Sequence, residues 1–296
     1  MFERLGLIGC GLMGGSFALA LKKAGLVKQV AGFSQSPKTV ARAHALGVID
    51  IASSSAAEAA QGADVVLLAV PVAATEATLR SIAPVVGGQM LIMDVGSTKS
   101  DVVAAASLGL GEKLAHFVPA HPITGKEVAG VDNADADLYE DAQLVLTPTA
   151  ETDPALVGRA RTIWRALGCR VDIMTPAQHD SAFAAVSHLP HLLAFAMMRS
   201  MLRQPDGARF LPMGGPGFRD FTRIAGGEPH MWRDILLANR EQVLAQSRQF
   251  QLALQELEHA MLEGDAQALQ NLLTSASQAR LQWHMGGQCA AQTPTT

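Results

Sequence analysis

The sequence is poor in the features that mark several protein classes. Three cysteines, Cys10, Cys169 and Cys289, form neither a CxxC pair nor a zinc-binding spacing with histidine. We expect them to be free thiols in a reducing compartment. No apolar run approaches the ~20 residues of a membrane span. Residues 1–4 lead directly into an apolar strand, which leaves no room for a signal peptide. A cytoplasmic protein without a membrane partner is therefore expected.

Charged residues are also scarce. Asp, Glu, Lys and Arg make up 17% of the chain, hydrophobic residues make up 49%, and the net charge is −4. This balance excludes a disordered chain and a basic nucleic-acid-binding protein. The most acidic stretch, at 132–141, is interpreted as a solvated loop, and no metal site is predicted. A chain of 296 residues holds one large domain or two ordinary ones.

The sequence does contain a glycine-rich turn between a strand and a helix. Gly9, Gly11 and Gly14 form a GxGxxG motif after the apolar residues 5–8. The first glycine permits a tight turn, the second lets the backbone approach a pyrophosphate, and the third allows close helix–strand packing. The helix N-terminus then faces the phosphates. The turn predicts a dinucleotide-binding site, with contacts from Gly9, Gly11, Leu12, Met13 and Gly14, and from Val70 and Pro71 after a later strand.

The end of the second predicted strand bears on the choice between NAD and NADP. An NAD site usually has Asp or Glu there to bind the ribose 2′-hydroxyl. Residues 34–38 read SQSPK and contain no carboxylate. Hydroxyl groups and a nearby cation suit a 2′-phosphate, so NADP is favoured over NAD, with contacts predicted from Ser34, Gln35, Ser36 and Lys38. The alternative interpretation is a turn and helix cap with a solvated Lys38.

The pattern of predicted elements changes at Thr175. Before it, short apolar runs alternate with helices, which predicts an N-terminal Rossmann-type doubly wound sheet. After it no strand is predicted, and helices are expected at 176–203, 229–248, 250–262 and 265–284. The expected fold is therefore α/β followed by an all-α dimerisation domain. Its parts are a dinucleotide-binding domain at 1–174, a helical substrate and dimerisation domain at 175–286, and a disordered tail at 287–296.

Two polar motifs follow buried strands of the predicted sheet. The segment 94–100 reads DVGSTKS and comes after the apolar run 90–93. The segment 121–127 reads HPITGKE and comes after the run 117–120. Ligands of open α/β sheets bind beyond the carboxyl ends of the strands. We therefore expect a hydroxyl, an ammonium, an imidazole and a carboxylate to converge on one crevice where the chemistry takes place.

The helical part holds further candidates. His188 and His191 share one helix face beside Pro190, which should kink or open the helix. They are either two buried, hydrogen-bonded histidines or, for His191, a substrate contact. Arg223 follows Asp220 by three residues in a glycine-rich connector, and Arg is suited to bidentate capture of a carboxylate. The alternative for this connector is a flexible loop with solvated charges.

In their order these motifs resemble the prephenate/arogenate dehydrogenase family of tyrosine biosynthesis. The matching segments are GLIGCGLMGGS, DVGSTKS, HPITGKE, SHLPH and GFRDFTRIAGGEPHMW, and the resemblance covers nearly the whole chain. It implies a Rossmann domain joined to a helical domain that forms an intertwined homodimer. It also implies oxidative decarboxylation of prephenate or arogenate, with hydride transfer to NAD or NADP.

The same resemblance implies roles for individual residues. His121 would bind the ring 4-hydroxyl and help to remove its proton, and Ser97 would orient that hydroxyl and the nicotinamide. Arg223 would bind a substrate carboxylate. A neutral imidazole is a suitable base at neutral pH. The other predicted substrate contacts are His191 in the pocket lining, Glu127 and Asp220 around the arginine, Lys126 facing the substrate side chain, and Trp232 near the partner subunit's site.

Two other functions are compatible with parts of the sequence. A β-hydroxyacid-type NADP dehydrogenase shares the first motif, but that family relies on a lysine in its helical part, and no lysine follows Lys126. A non-enzymatic dinucleotide-sensing dimer would leave Ser97, His121 and His191 without a shared purpose. The preference for prephenate or arogenate and the sensitivity to tyrosine stay open at the level of sequence.

Overall fold

The computed structural model describes residues 1–126 and 128–283. The first part of the chain forms a six-stranded parallel sheet. Its strands are β1 (Phe2–Ile8), β2 (Val27–Phe33), β3 (Ile51–Ala52), β4 (Val65–Leu68), β5 (Leu91–Asp94) and β6 (Phe117–Val118). Their order is β3-β2-β1-β4-β5-β6. The direction of winding reverses between β1 and β4, which is where an open α/β sheet forms its ligand crevice. The predicted Rossmann-type sheet is confirmed.

Helices cover both faces of this sheet. They are α1 (Leu12–Lys23), α2 (Pro37–Ala45), α3 (Ala56–Ala60), α4 (Thr75–Ile82), α5 (Ser100–Leu110) and α6 (Pro154–Ala166). Side chains of successive strand residues point to opposite faces. Val65 and Leu67 of β4 therefore join one buried cluster with Trp164, whereas Val66 joins the other with Leu79. Burial on both faces explains why the strands read as continuous apolar runs.

The segment containing His121 departs from the predicted pattern. The sequence predicts one strand at 117–120, but β6 ends at Val118 and a new strand, β7 (Ala120–Ile123), starts after Pro119. Proline has no N–H with which to continue a ladder. A separate three-stranded sheet follows, in the order β7-β8-β9, with β8 at Gln143–Leu146 and β9 at Arg170–Ile173. His121 thus lies inside a strand, paired antiparallel with Val145.

Helices dominate the described residues after Thr175. A capping box formed by Thr175 and Gln178 starts α7 (Pro176–Phe183), and a π-helical turn, Ala184–His188, precedes α8 (Leu189–Arg203). Pro190 cannot donate the usual helix hydrogen bond, so the predicted local opening is confirmed. The remaining helices are α9 (Gly207–Phe210), α10 (Pro216–Thr222), α11 (Pro229–Ala238), α12 (Arg240–Leu262) and α13 (Ala266–Gln282).

The predicted helix at 229–248 is wrong as one element. It breaks at Asn239, where φ is −105° and ψ is 27°. The sequence around the break has neither Gly nor Pro, so its pattern gave no reason to interrupt the helix. The side-chain amide of Asn239 instead bonds to two distant residues, Asp180 and His188, and these tertiary contacts accompany the break.

The compact units of the chain are Met1–Val243 and a second unit that starts at Leu244. The helices up to Val243 thus share one unit with both sheets, and the domain division at residue 174 stays a prediction. The predicted tail at 287–296 lies outside the described residues.

One helical stretch bears on the predicted absence of membrane spans. Pro176–Arg203 is long and apolar enough to cross a membrane by length and composition, contrary to the expectation from apolar runs. The core helix of a soluble protein passes the same test. This stretch carries buried His179, Asp180 and His188, and the Asp180 carboxylate is bonded to the main chain of Lys99.

A buried ion pair joins the end of β5 to the start of α5. Lys99 is fully buried, and its ammonium donates to the Asp94 carboxylate and, at 2.9 Å, to the main-chain oxygen of Ala120. The Asp94 carboxylate also accepts the N–H of Ala120 at 2.9 Å. Both main-chain groups of the residue before His121 are therefore held by this pair.

We expect Lys99→Met to reduce the free energy of unfolding by about 3–5 kcal/mol, because it leaves a buried carboxylate without its partner. Denaturant unfolding monitored by circular dichroism measures the loss. The matched control is Arg80→Met, which removes the exposed pair Arg80–Glu76 and should cost about 1 kcal/mol or less. Equal losses in the two variants would contradict a special role for the buried pair.

Candidate active site

The glycine turn after β1 has the shape that a pyrophosphate site requires. Gly9 has φ of +100°, and a Cβ there would lie 2.1 Å from the oxygen of Ala69. A Cβ on Gly14 would lie 2.1 Å from the Gly9 oxygen, so this glycine permits close packing of α1 on the turn. A Cβ on Gly11 would meet no atom within 4 Å. The backbone at Gly11 is thus open at the N-terminus of α1, which fits a dinucleotide.

The residues after β2 combine a helix cap with exposed polar groups. The Ser34 hydroxyl accepts the N–H of Cys10 at 2.7 Å, which places it against the glycine turn. Ser36 caps α2 by accepting from the N–H of Thr39. The cap interpretation therefore holds for this serine. Gln35 and Lys38 are exposed, and Lys38 has no ion-pair partner in the part of the chain that the structure describes.

Ser97, Val70 and Pro71 lie at the same edge of the sheet as the glycine turn. Val70 and Pro71 follow β4, and half-buried Ser97 follows β5. Because β1, β4 and β5 are neighbouring parallel strands, their carboxyl ends meet at one edge. The predicted cofactor contacts and the predicted catalytic hydroxyl therefore lie at the edge where an open α/β sheet forms its ligand crevice.

A buried chain of hydrogen bonds starts at His121. Its Nδ1 lies 2.8 Å from Nε2 of His179, and Nδ1 of His179 lies 2.8 Å from the Asp180 carboxylate. That carboxylate also accepts the main-chain N–H groups of Lys99 and Ser100, each at 2.8 Å. The chain connects the second sheet, α7 and the loop after β5.

Neither His179 nor Asp180 is among the residues predicted from the sequence. His179 stands 58 positions from its partner, and no local pattern links the two. The available signal was the helix cap at Thr175, which places a His-Asp pair in the first turns of α7. The helix start at Thr175 also marks the change from alternating strands and helices to helices alone. A pair of titratable residues at such a position is a candidate for the site.

Burial and nearby charge keep the imidazoles of this chain neutral. The pKa of His121 is lowered well below 6.5, first by burial and then by the charges of His179 and Lys99. Burial also lowers the pKa of His179, although its hydrogen bond to Asp180 acts in the opposite direction. Burial alone would raise the pKa of Asp180, but hydrogen bonds from His179 and from main-chain N–H groups leave it lowered. The result is two neutral imidazoles beside an ionised carboxylate.

His191 stacks on an aromatic ring and is influenced by the charge of a cation. Its Nδ1 donates to the main-chain oxygen of Ser187 at 2.9 Å, and its ring stacks on Trp232 with centroids 3.6 Å apart. Trp232 thus contacts His191 of its own chain, and its place near a partner subunit's site stays a prediction. Burial, and to a smaller extent the positive charge of Arg223, lowers the pKa of His191.

The other predicted substrate contacts have varied surroundings. Arg223 begins a 3₁₀ turn, Arg223–Gly226, and interacts with its neighbours. Asp220 is exposed and accepts from Nε of Arg219 at 2.9 Å. Glu127 lies outside the described residues.

Lys126 contacts the acidic loop. Its ammonium donates to the Asp135 carboxylate at 2.8 Å and to the oxygen of Asn133 at 3.2 Å. The predicted solvated acidic loop thus supplies a partner for this lysine. Among the described residues, no group of three or more His, Cys, Asp or Glu side chains is arranged to hold a metal ion.

The sheet, the open glycine turn and the buried imidazole at one edge define a nicotinamide-dinucleotide-dependent dehydrogenase. Two family models match the sequence: "Prephenate dehydrogenase, nucleotide-binding domain" over residues 17–173, and "Prephenate dehydrogenase, dimerization domain" over residues 175–275. The chain belongs to the prephenate dehydrogenase family.

Individual relatives agree with this assignment. The chain is 32% identical to the cyclohexadienyl dehydrogenase of Zymomonas mobilis, over 95% of this chain and 96% of that one. The structure of prephenate dehydrogenase from A. aeolicus, in complex with hydroxyphenyl propionate and NAD+, superposes with a TM-score of 0.88 at 32% identity, covering 95% of this chain and 98% of that one. Synechocystis arogenate dehydrogenase gives a TM-score of 0.80 at 28% identity, covering 94% and 99%.

Family membership establishes the class of reaction. The chain is an NAD(P)-dependent dehydrogenase that oxidatively decarboxylates prephenate or arogenate and transfers hydride to the nicotinamide. The predicted function is confirmed at this level. The β-hydroxyacid dehydrogenase and the non-enzymatic sensing module are thereby set aside.

The buried histidines make the folded state sensitive to acid. Burial lowers the pKa of His188 to about 4, from 6.5, and those of His121 and His179 are lowered as well, first by burial. The unfolded chain therefore binds more protons than the folded chain as pH falls from about 6.5 towards about 4. The free energy of unfolding decreases through this window.

We expect His188 alone to remove about 2 kcal/mol from the free energy of unfolding between about pH 6.5 and about pH 5. Urea denaturation at a series of pH values measures the decrease. The variant His188→Gln should show a shallower decrease, because its side chain does not titrate in this range. A free energy of unfolding that stays constant or rises as pH falls through the window would contradict the expectation.

Proposed function

We propose that His121 is the general base and accepts the proton of the substrate's ring hydroxyl at Nε2. The observation that supports this role is the hydrogen-bonded chain from His121 through His179 to Asp180. A positioned neutral imidazole can take a proton in the transition state. An ionised carboxylate beyond it stabilises the imidazolium that forms.

Hydrogen bonding decides which nitrogen of each ring carries its proton. An ionised carboxylate only accepts, so Nδ1 of His179 donates to Asp180. Nε2 of the neutral His179 is then bare and accepts from Nδ1 of His121. Nε2 of His121 therefore keeps its lone pair. The base has a fixed tautomer before any substrate arrives.

A single base is enough for the proton transfers of the proposed reaction. The hydroxyl proton moves to Nε2 of His121, and the ring carbon that bears the hydroxyl loses its hydrogen with the bonding electrons. The bound nicotinamide supplies the acceptor for that hydride. The bond to the ring carboxylate breaks, its electron pair completes the aromatic ring, and CO2 leaves. The proton on His121 returns to the phenolate oxygen of the product. Because aromatisation provides the driving force, positioning is the main task of the protein.

Arg223 and the residues around it are proposed to bind the substrate. A guanidinium can bind a carboxylate through two hydrogen bonds. The positive charge of Arg223 contributes to the lowered pKa of His191, which supports a place for both side chains in one site. Stacking on Trp232 holds the His191 ring in the pocket lining. Glu127 and Asp220 are proposed to support the arginine.

Two polar residues complete the proposed substrate contacts. Half-buried Ser97 would orient the ring hydroxyl and the nicotinamide from the edge of the sheet. Lys126 would reach the substrate side chain, which carries a keto group in prephenate and an amino group in arogenate. Its ammonium would then have to break its hydrogen bond to Asp135 and form one to the substrate.

NADP is proposed as the preferred cofactor. Three features support this: no carboxylate follows β2, the Ser34 hydroxyl lies against the glycine turn, and Lys38 is exposed beside it. A carboxylate at this place would bind a ribose 2′-hydroxyl and repel a 2′-phosphate. A serine hydroxyl can donate a hydrogen bond to a 2′-phosphate, and a lysine ammonium attracts the charge of the phosphate.

A cytoplasmic homodimer is proposed as the working form. The second family model is described as a dimerisation domain, and several apolar side chains of the helices are exposed in the single chain: Leu237, Leu244, Leu254 and Met261. Buried, unpaired Cys10 and Cys169 are consistent with a reducing compartment.

The function is tested by supplying prephenate and arogenate, each with NAD and with NADP, and following reduced nicotinamide by its absorbance. We expect His121→Asn to lower kcat by about 10²–10⁴-fold, since asparagine cannot accept the proton. Dinucleotide affinity, measured by calorimetry, should change little.

His44→Asn provides the control for the loss of an imidazole, because His44 is an exposed residue in the last turn of α2. It should keep the turnover of the unaltered protein. Turnover by His121→Asn within a factor of about three of the unaltered protein would exclude His121 as the base.

The cofactor proposal predicts that Ser34→Asp reverses the preference between NADP and NAD. The new carboxylate can still accept from the N–H of Cys10 but repels a 2′-phosphate. We expect kcat/KM with NADP to fall about tenfold or more, with a gain for NAD. Ser107→Asp adds the same charge at an exposed site on α5 and should leave the ratio unchanged. An unchanged ratio in Ser34→Asp would exclude a role for this position.

A further inference from the structure

Asn239, at the break between α11 and α12, contacts two parts of the site with one nitrogen. Its side chain is buried, and Nδ2 lies 2.7 Å from the main-chain oxygen of Asp180 and 3.1 Å from Nδ1 of His188. Asp180 ends the hydrogen-bonded chain of His121. His188 belongs to the π-helical turn before α8. One amide therefore joins α7, the π-helical turn and the end of α11.

The identity of the Asn239 atom follows from its first partner. A main-chain carbonyl only accepts, so the atom 2.7 Å from the Asp180 oxygen must be the amide nitrogen. The same nitrogen lies 3.1 Å from Nδ1 of His188, and an amide nitrogen can only donate a hydrogen bond. Nδ1 of His188 is therefore the acceptor. With its pKa lowered to about 4, chiefly by burial, this ring is neutral and carries its one proton on Nε2.

The N–H of His188 has an identifiable direction. Nε2 is buried and has no hydrogen bond of normal geometry among the described residues. The main chain of Ser97 nevertheless acts on this ring and raises its pKa, which is the effect of a carbonyl facing a ring N–H. Since Nδ1 is occupied by Asn239, the group that faces Ser97 is Nε2–H.

We propose that Asn239 is a positioning residue that fixes His188 as an Nε2–H donor towards the Ser97 loop and fastens this donor to the carbonyl of Asp180. The proposal rests on the functions proposed for Ser97 and His121. One amide then sets the relative position of the loop that bears the hydroxyl and the chain that orients the base. Asn239 itself touches neither substrate nor cofactor in this account.

A purely structural role is the alternative. Asn239 also ends α11 through its N–H bond to the oxygen of Ile235. A side-chain substitution leaves this main-chain bond in place, so a structural role of the amide would consist only in linking α7 to the end of α11. Loss of that link would lower stability without changing which nitrogen of His188 is protonated. The tautomer of His188 is therefore the measurement that separates the two roles.

The first experiment uses the unaltered protein with ¹⁵N-labelled histidine. Two-dimensional ¹H–¹⁵N NMR distinguishes the protonated ring nitrogen from the bare one, and the spectrum of His188→Gln assigns the signals of His188. We expect Nε2 to be protonated and Nδ1 to be bare. A proton on Nδ1 in the unaltered protein overturns the proposal without any need for an Asn239 variant to fold.

The second experiment compares Asn239→Asp with Asn271→Asp, an amide-to-carboxylate change on an exposed face of α13. A carboxylate cannot donate, so Asn239→Asp should move the His188 proton to Nδ1 and lower kcat by about 10- to 100-fold. Asn271→Asp should change neither. An Asn239→Asp protein with the original tautomer, or with unchanged kcat, overturns the proposal.

The NMR result also separates this inference from the proposed function. If His121→Asn keeps full turnover while Asn239→Asp shifts the His188 proton and lowers kcat, the role of His121 fails and that of Asn239 stands. If His121→Asn loses turnover but the His188 tautomer is not the expected one, the role of Asn239 fails alone.

Discussion

The hydrogen bonds accepted by Asp180, at its carboxylate and at its main-chain carbonyl, connect the other parts of the site. The carboxylate accepts N–H groups from Lys99 and Ser100 in the loop after β5, and it accepts Nδ1–H from its neighbour His179. Its carbonyl accepts the amide of Asn239. An ionised carboxylate is stable in a buried position only when several donors surround it. The donors to the carboxylate keep Asp180 charged and join α7 to the loop after β5, and the bond from Asn239 to the carbonyl joins α7 to the end of α11.

Burial makes this site reactive and also makes it costly to fold. The Lys99–Asp94 pair is hidden from solvent, and the desolvation of two buried charges offsets much of their attraction. The buried histidines must also be in their neutral form when the chain folds. In return the ammonium of Lys99 fixes the main chain next to His121 and its charge favours the neutral imidazole. The loss of stability is offset by a fixed position and a neutral charge state for His121, as its proposed role as a base requires.

The sequence predicted those features of the fold and the site that depend on residues close to one another along the chain. Gly9 and Gly14 predicted the turn because each meets a separate steric constraint. The motifs at 94–100 and 121–127 contain Lys99 and His121, which the structure joins through Asp180 and His179. The division of the strand at Pro119 could have been read from the missing N–H of proline. His179 and Asn239 could not, since their partners stand 58, 59 and 51 positions away and depend on how helices pack. Such contacts leave no periodic trace in a single sequence.

Among the described histidines of this site, His121 and His191 each keep a nitrogen lone pair that accepts no hydrogen bond from a described residue. Their surroundings differ in how well they would stabilise an added proton. Nδ1 of His191 donates to the Ser187 carbonyl, so its Nε2 is free to accept, as is Nε2 of His121. A base must hold a full positive charge after it accepts a proton. For His121 that charge is balanced through His179 by ionised Asp180. For His191 the support is a neutral carbonyl, and the guanidinium of Arg223 opposes the charge. The electrostatics thus favour His121 over His191 for the proposed proton transfer, and they suit His191 to the proposed role of accepting a hydrogen bond from the substrate.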